Sequence, residues 1–269
     1  MPELPEVEIA ARHLRAALVD RGPIRMLVPE PGQNGLLDAF AAGTPGALLS
    51  VRRHGKQLAL DFEDGGTFRL HLGMTGRFEA LNRGDEWPRH ARFIWAYEGE
   101  PRLAFVDPRR FARFGHRRGG HPSDDFAGLG PDALDSTLGE WCLALDRPLP
   151  VKPALLEQSR LAGVGNIYAC EGLHGAGVDP RRPAHSLSRD TVEILRLAVQ
   201  RAMRATLERE ADAPMRYLNE GGVPNPFRIY GREGEACAAC GAAIDRFKQA
   251  GRSTWWCPAC QGGWTGHPE

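Results

Sequence analysis

The sequence predicts an α+β protein of several domains, on three observations. A helical pattern begins within the first ten residues. A run of short strands with turn residues between them follows, and the second half is helical until two Cys-x2-Cys pairs. In the first stretch, Val7, Ala10, Ala11, Leu14, Ala17 and Leu18 recur at three- and four-residue spacing and make one apolar face. Pro5 suits a first turn, and Gly22 with Pro23 ends the run. Strands are expected at 24–28, 47–53, 57–62, 67–72, 77–81, 91–97 and 103–106, punctuated by clusters such as Glu63-Asp64-Gly65-Gly66. The stretch Arg92-Phe93-Ile94-Trp95-Ala96-Tyr97 does not alternate, so this strand is expected to be buried on both faces. Many short strands favour a sandwich or a barrel.

Composition shifts near Gly128-Leu129-Gly130-Pro131, and a linker with a short helix is expected over 131–150. Helices are expected at 153–158 and 166–173. Ser188 is a good N-cap for a long helix reaching about 210, with Val192, Leu195, Val199, Ala202 and Met203 on one face. A short helix is expected over 214–218 and a loop over 221–226. Near the end, sixteen residues separate Cys237-x2-Cys240 from Cys257-x2-Cys260. Two such knuckles let four thiolates meet at tetrahedral geometry, so one structural Zn2+ is expected, with no open position for chemistry. Disulfides are disfavoured in a chain without a secretory leader. Cys142 and Cys170 are left over as buried thiols.

The 42% apolar and 25% charged content is that of a soluble globular protein. No apolar run approaches the roughly 20 residues that span a membrane. With no basic-then-apolar leader, a cytoplasmic protein without a membrane partner is expected. The formal net charge is zero, which on its own argues against nucleic acid. The distribution argues otherwise: from Arg102 to Arg118 there are six arginines and one acid, giving +5. That run is either a solvated loop or a polyanion contact. Lysine occurs only at Lys56, Lys152 and Lys248 among 34 basic residues. Arginine cannot supply a titratable amine, so a retained lysine points to a need for one, against the plain alternative of base composition.

Pro2 is a small residue after the start methionine, so removal of Met1 is expected, leaving a free secondary amine. An α-amine titrates at about 7.7–8.0 and is partly neutral at physiological pH without burial. The positive end of the helix dipole disfavours its ammonium form and Glu3 favours it. A secondary amine that attacks a sugar carbon yields an iminium, an electron sink that needs no cofactor. The plain alternative is an acidic helix start that complements the dipole.

The octapeptide Met1-Pro2-Glu3-Leu4-Pro5-Glu6-Val7-Glu8 resembles the amino terminus of bacterial formamidopyrimidine-DNA glycosylases, the base-excision family that removes oxidised purines. His71-Leu72-Gly73-Met74-Thr75-Gly76, Asp107-Pro108-Arg109-Arg110-Phe111, Ala162-Gly163-Val164-Gly165-Asn166-Ile167-Tyr168 and the two cysteine knuckles are similar to family segments too. The resemblance therefore covers almost the whole chain. It implies an N-terminal helix plus β-sandwich over 1–130, a linker over 131–150, a helical helix-two-turn-helix domain over 151–230 and a C-terminal zinc ribbon over 231–269. It further implies a monomer that acts on damaged double-stranded DNA as a glycosylase and abasic-site lyase.

In that family pattern Pro2 is the nucleophile that forms a Schiff base, with elimination on the 3′ and then the 5′ side, and Glu3 is the general acid. Lys56 lies near the lesion as a phosphate contact or proton donor, and Arg252 grips the phosphates flanking it. Met74, Arg109 and Phe111 fill the gap left by the extruded nucleotide. The trio is physically apt: a thioether and an aromatic ring wedge between bases, and a guanidinium bonds the orphaned partner. For Met74 and Phe111 the plain alternative is core packing. His90, Lys152, Asn166 and Arg147 match further DNA contacts, Arg147 through its spacing to Lys152.

The chain departs from the pattern in two places. Ala112 stands where the family turns on glycine, beside a locally duplicated Arg-Phe pair. The 216–230 stretch is shorter than the family loop that closes over oxidised guanine, so ring-opened purines or oxidised pyrimidines are expected to be handled better than 8-oxoguanine. Two other readings stay open. One is the related endonuclease VIII branch for oxidised pyrimidines, against which Leu4 and the trio count. The other is a non-catalytic zinc-ribbon protein that binds damaged DNA, which would keep Arg252, Asn166 and Cys237 but would not need Pro2 and Glu3.

Overall fold

Helix α1 (Leu4–Leu18) buries Val7, Ala10, Ala11, Leu14 and Leu18 on one face, as their spacing predicts. The computed structural model describes residues 2–30, 32, 35–43, 46–98, 100–119, 121–210 and 224–262. Met1, the expected 214–218 helix and most of the shortened 216–230 loop lie outside these residues. The described chain forms two units, one built from residues 2–127 and one from 128–209 with 224–262.

In the first unit, β1 (Ile24–Leu27) and α2 (Gly35–Ala42) precede β2 (Leu48–His54), β3 (Gln57–Phe62), β4 (Gly66–His71) and β5 (Arg77–Ala80). Then come β6 (Ala91–Tyr97), β7 (Glu100–Val106) and β8 (Arg113–Arg118). They form two antiparallel four-stranded sheets, ordered β1-β6-β7-β5 and β2-β3-β4-β8. This is a sandwich: Leu58, Leu60 and Phe68 of one sheet share a core with Phe93, Trp95 and Phe105 of the other and with the apolar face of α1. Rings dominate that core, with Phe93 stacked on Phe105 at 5.1 Å and Phe68 edge-on to Trp95 at 6.0 Å. Phe93, Ile94 and Trp95 are all fully buried, because Ile94 joins Leu81, Ala104 and Val106 in a second cluster. The lack of alternation in β6 had this meaning.

Two elements escape the periodicity. Helix α2 is only two turns long and contributes Leu37 and Phe40 to the core. The arginine run 102–118 is not a single loop: it spans most of β7, where a strand was expected over 103–106, then a turn and β8, which was not expected. Strand β8 was hidden because Phe114 is its one strong apolar residue. Among the described residues, ion pairs join Arg110 to Glu30, Arg117 to Asp125 and Arg118 to Asp64. The Asp125 side chain is fully buried and also pairs with Arg52 at 2.6 Å. Burial opposes its ionisation, and the hydrogen bonds from Arg117 and Arg52 outweigh it, so its carboxyl sits below the usual range.

The second unit contains α3 (Leu138–Leu145), α4 (Val151–Leu155), α5 (Asn166–Gly175) and α6 (Arg189–Arg209). A hairpin of β9 (Asp245–Gln249) and β10 (Arg252–Trp256) and the short α7 (Pro258–Gln261) complete it. Ser188 caps α6 as expected, its Oγ accepting the Thr191 amide at 3.2 Å. Pro153 does not start α4 but occupies its third position, where an amide has no intrahelical partner to lose. Helices α5 and α6 approach so closely at Gly172 that a Cβ there would lie 2.1 Å from Val199 Cγ2. Among the described residues no helix is long and apolar enough to cross a membrane.

Candidate functional site

Pro2 is buried at the entrance to α1, and Glu3 is 1% exposed. Glu3 is the N-cap, with φ −109° and ψ −168°, and its amide donates to the Glu6 carboxylate at 2.8 Å. That bond fixes Glu3 at the positive end of the helix dipole. One turn on, Glu8 pairs with Arg53 at 2.9 Å and Arg15 at 3.1 Å. Arg53 lies on β2, so this pair ties the helix to the strand that leads into the Gly55-Lys56 turn. Lys56 is half-buried there, and Gln57 pairs in register with His71 at the end of β4.

Burial, then the charges of Arg113 and Lys56, push the His71 imidazole down to about 4. The ring is therefore neutral throughout the physiological range, and its Nδ1 accepts the Gly73 amide at 3.0 Å. Sequence reasoning gave His71 no role of its own. Its signal was position, the last residue of a strand immediately before the Leu72-Gly73 turn.

The two turns expected to enter DNA meet at one joint. Gly73 has φ +70°, and a Cβ there would lie 2.5 Å from the backbone carbon of Phe111, so the Met74 turn and the Phe111 turn touch main chain to main chain. Asp107, fully buried, is the centre of the joint. Its carboxylate accepts from the Thr75 hydroxyl and from the Ala112 amide, each at 2.8 Å, and its own amide donates to the His90 carbonyl at 3.1 Å. Met74 is 37% and Phe111 50% exposed, so core packing does not explain them. The Arg109 guanidinium lies 4.6 Å from the Phe111 ring centre. The structure thus brings Met74, Arg109 and Phe111 together, with the exposed His90 beside them. Phe114, the other half of the duplicated pair, packs against the core instead. Ala112 serves without glycine because Arg110, at φ +56°, takes the left-handed conformation of the turn. Asp107→Ala leaves a half-buried hydroxyl and a half-buried amide without their acceptor, so it is expected to lower stability by about 1–2 kcal/mol. Urea unfolding measures this, and an unchanged midpoint would contradict the role given to Asp107.

In the second unit, Lys152 is 1% exposed, and its Nζ donates to Thr254 Oγ1 at 2.7 Å and to the Ser253 carbonyl at 3.2 Å. Asn166, in the first turn of α5, donates through Nδ2 to the same carbonyl at 3.0 Å. Both side chains therefore support β10 from beneath. Arg252 begins that strand and is exposed. The two-residue turn before it has positive φ at both Ala250 (46°) and Gly251 (75°), the hairpin geometry that matches strand twist. Arg147 stands apart from this group and pairs with Glu157 at 3.3 Å.

The sulfurs of Cys237, Cys240, Cys257 and Cys260 all lie within 4.8 Å of one another. Two of the separations are 3.9 Å and 3.4 Å, against the roughly 3.8 Å edge of a tetrahedron with zinc–sulfur bonds near 2.3 Å. The donor set also asks for a cation. Burial opposes the Cys237 thiolate, but hydrogen bonds from the Ala239 amide and from His174 bring it to about 6. Cys260 is pushed up to about 12 by its neighbours, Cys240 first. Four thiols in this space do not all ionise without a metal to neutralise them. The residues fit one structural zinc, and Cys142 and Cys170 stand outside the cluster.

Three family models match the chain in series. They are described as formamidopyrimidine-DNA glycosylase N-terminal domain, over residues 1–114, formamidopyrimidine-DNA glycosylase H2TH domain, over 129–215, and zinc finger found in FPG and IleRS, over 234–262. The chain belongs to the formamidopyrimidine-DNA glycosylase family. The formamidopyrimidine-DNA glycosylase of Xanthomonas axonopodis pv. citri is 37% identical, over 97% of this chain and 100% of that relative. Among solved structures, the MutM (Fpg) protein of Thermus thermophilus is 35% identical with a TM-score of 0.79, covering 97% of this chain and 99% of that one. The Lactococcus lactis Fpg in complex with DNA containing an abasic site is 26% identical with a TM-score of 0.85, at the same coverage. The zinc-finger match of this formamidopyrimidine-DNA glycosylase family member spans all four clustered cysteines.

Proposed function

We propose that this chain excises oxidised purines from duplex DNA and then cleaves the strand at the abasic site it has made. It is a DNA glycosylase of the base-excision type, with an abasic-site lyase activity at the same site. In that chemistry Glu3 protonates the sugar ring oxygen and the Pro2 nitrogen attacks the anomeric carbon as the base departs. The iminium acidifies the neighbouring sugar protons, so the 3′ phosphate and then the 5′ phosphate leave by elimination. Pro2 acts only as an amine, which requires that Met1 be absent from the working enzyme. Lys56 serves the phosphates around the lesion as a contact or a proton donor, and Arg252 grips the phosphates that flank it. Met74, Arg109 and Phe111 take the place of the extruded nucleotide, and His90, Arg147, Lys152 and Asn166 steady the duplex directly or through β10. The protein acts on damaged double-stranded DNA as a monomer in the cytoplasm.

The observation that carries this reading is the start of α1, where Pro2 and Glu3 are buried and the Glu3 backbone is clamped by Glu6. A zinc-ribbon protein that only bound damaged DNA would have no use for a proline and a carboxyl placed in this way. The test is borohydride trapping on matched duplexes bearing an abasic site, a ring-opened purine, 8-oxoguanine or an oxidised pyrimidine. A covalent adduct is expected on the abasic and ring-opened purine duplexes, with a single-nucleotide gap when borohydride is omitted. Weaker excision of 8-oxoguanine is expected from the shortened 216–230 stretch, and a strong preference for that lesion would overturn this part. Preference for oxidised pyrimidines above all others would favour the endonuclease VIII reading.

A further inference from the structure

Helix α5 does more than present its first turn. At its other end His174 is 7% exposed, and its Nε2 lies 3.3 Å from Cys237 Sγ. The Nδ1 of the same ring is buried and has no hydrogen-bond partner among the described residues. Those two facts decide the tautomer. A zinc-bound cysteine is a thiolate and carries no proton, so an unprotonated Nε2 would set two lone pairs against each other. A proton on Nδ1 would in turn bury a donor with nothing to receive it, whereas a bare Nδ1 buries only an acceptor. The proton belongs on Nε2, aimed at the sulfur.

The ring is also held in place. Glu171, one turn earlier on α5, takes the amides of Arg228, Ile229 and Tyr230 at 2.9–3.0 Å, which fixes the chain entering the cysteine hairpin against the helix. Cys170, Ile229 and Ile244 form an apolar shell on the buried side of the site, packed with Cys237 and Cys257, while Cys240 is exposed. In such a shell a single N–H aimed at a thiolate counts for more than at an open surface.

We propose that His174 is a positioning residue of the zinc site. Its imidazole donates from Nε2 to the Cys237 thiolate, offsets part of the charge of four thiolates on one divalent cation, and so slows loss of the metal. This rests on the zinc site and not on the glycosylase reading, so either can fail without the other.

The test uses the zinc-loaded full-length protein and measures zinc release to a chromogenic chelator. His174→Phe keeps an apolar filling but removes the donor, and is expected to release zinc about tenfold faster, the lower end of what loss of a partner behind a metal ligand costs. His174→Gln retains an N–H and is expected to release it at close to the parent rate. Equal release by parent and His174→Phe would overturn the proposal. So would equally fast release by both variants, because the ring's shape and not its N–H would then matter. Should His174→Phe fail to fold, long-range 1H–15N spectra of the zinc-loaded parent decide the matter. A protonated Nε2 and a bare Nδ1 are expected, and an unprotonated Nε2 overturns the proposal.

Discussion

Glu3→Gln is expected to slow excision of a ring-opened purine by about 100- to 10,000-fold in single-turnover assays, the usual contribution of a positioned general acid. Cleavage of a preformed abasic site is expected to fall far less, because an abasic sugar also exists as the open aldehyde, which an amine attacks without protonation of the ring oxygen. Glutamine keeps the length of the side chain and its ability to accept at a helix start, so the thermal midpoint should move by little. The contrast between the two substrates separates chemistry from folding: equal losses on both, or a large loss of stability, would remove Glu3 from the role of acid. The companion variant, Pro2→Gly, keeps an amine but not a secondary one. An undiminished yield of trapped adduct in that variant would count against any special part for proline.

The second large effect concerns the metal. Structural zinc sites of this kind bind with about 10–16 kcal/mol, more than a small hairpin can recover from its own packing. Stripping zinc is therefore expected to unfold β9, β10 and α7 and to weaken binding to an abasic duplex by a hundredfold or more. Two losses combine. Arg252 is no longer held at the start of β10, next to the two-residue turn. Lys152 and Asn166 lose Ser253 and Thr254, the groups that satisfy them. Hydrogen exchange should show fast exchange in β9 and β10 while β6 and β7 stay protected. Protection of the hairpin that survives chelation would show that its fold does not depend on the metal.

Much of this was legible in the chain. The seven expected strands are present because each is bounded by turn residues, and α6 starts at Ser188 because a hydroxyl there accepts an orphan amide. The cysteine spacing announced its own geometry. What was not legible depends on contacts between distant residues. Nothing around Asp107 says that its carboxylate will join Thr75 to Ala112 and place two turns against each other. Lys152 reads as a phosphate contact by position, yet its ammonium is buried under a strand about one hundred residues further on. His174 lies in a helix of low amphipathicity, where no local pattern distinguishes a ring that faces the cysteines from one that faces a core.

The joint at Gly73 has a consequence for how DNA is searched. Because the two turns meet through their main chains, the backbone that carries Met74, Arg109 and Phe111 is already ordered, and the entropy left to lose on contact is that of the side chains. Sound and damaged duplex would then meet the same rigid fork. On the role proposed for the trio, discrimination would fall to the nucleic acid, since the stack that resists opening least, at a damaged or mismatched pair, would be the one that admits the tines.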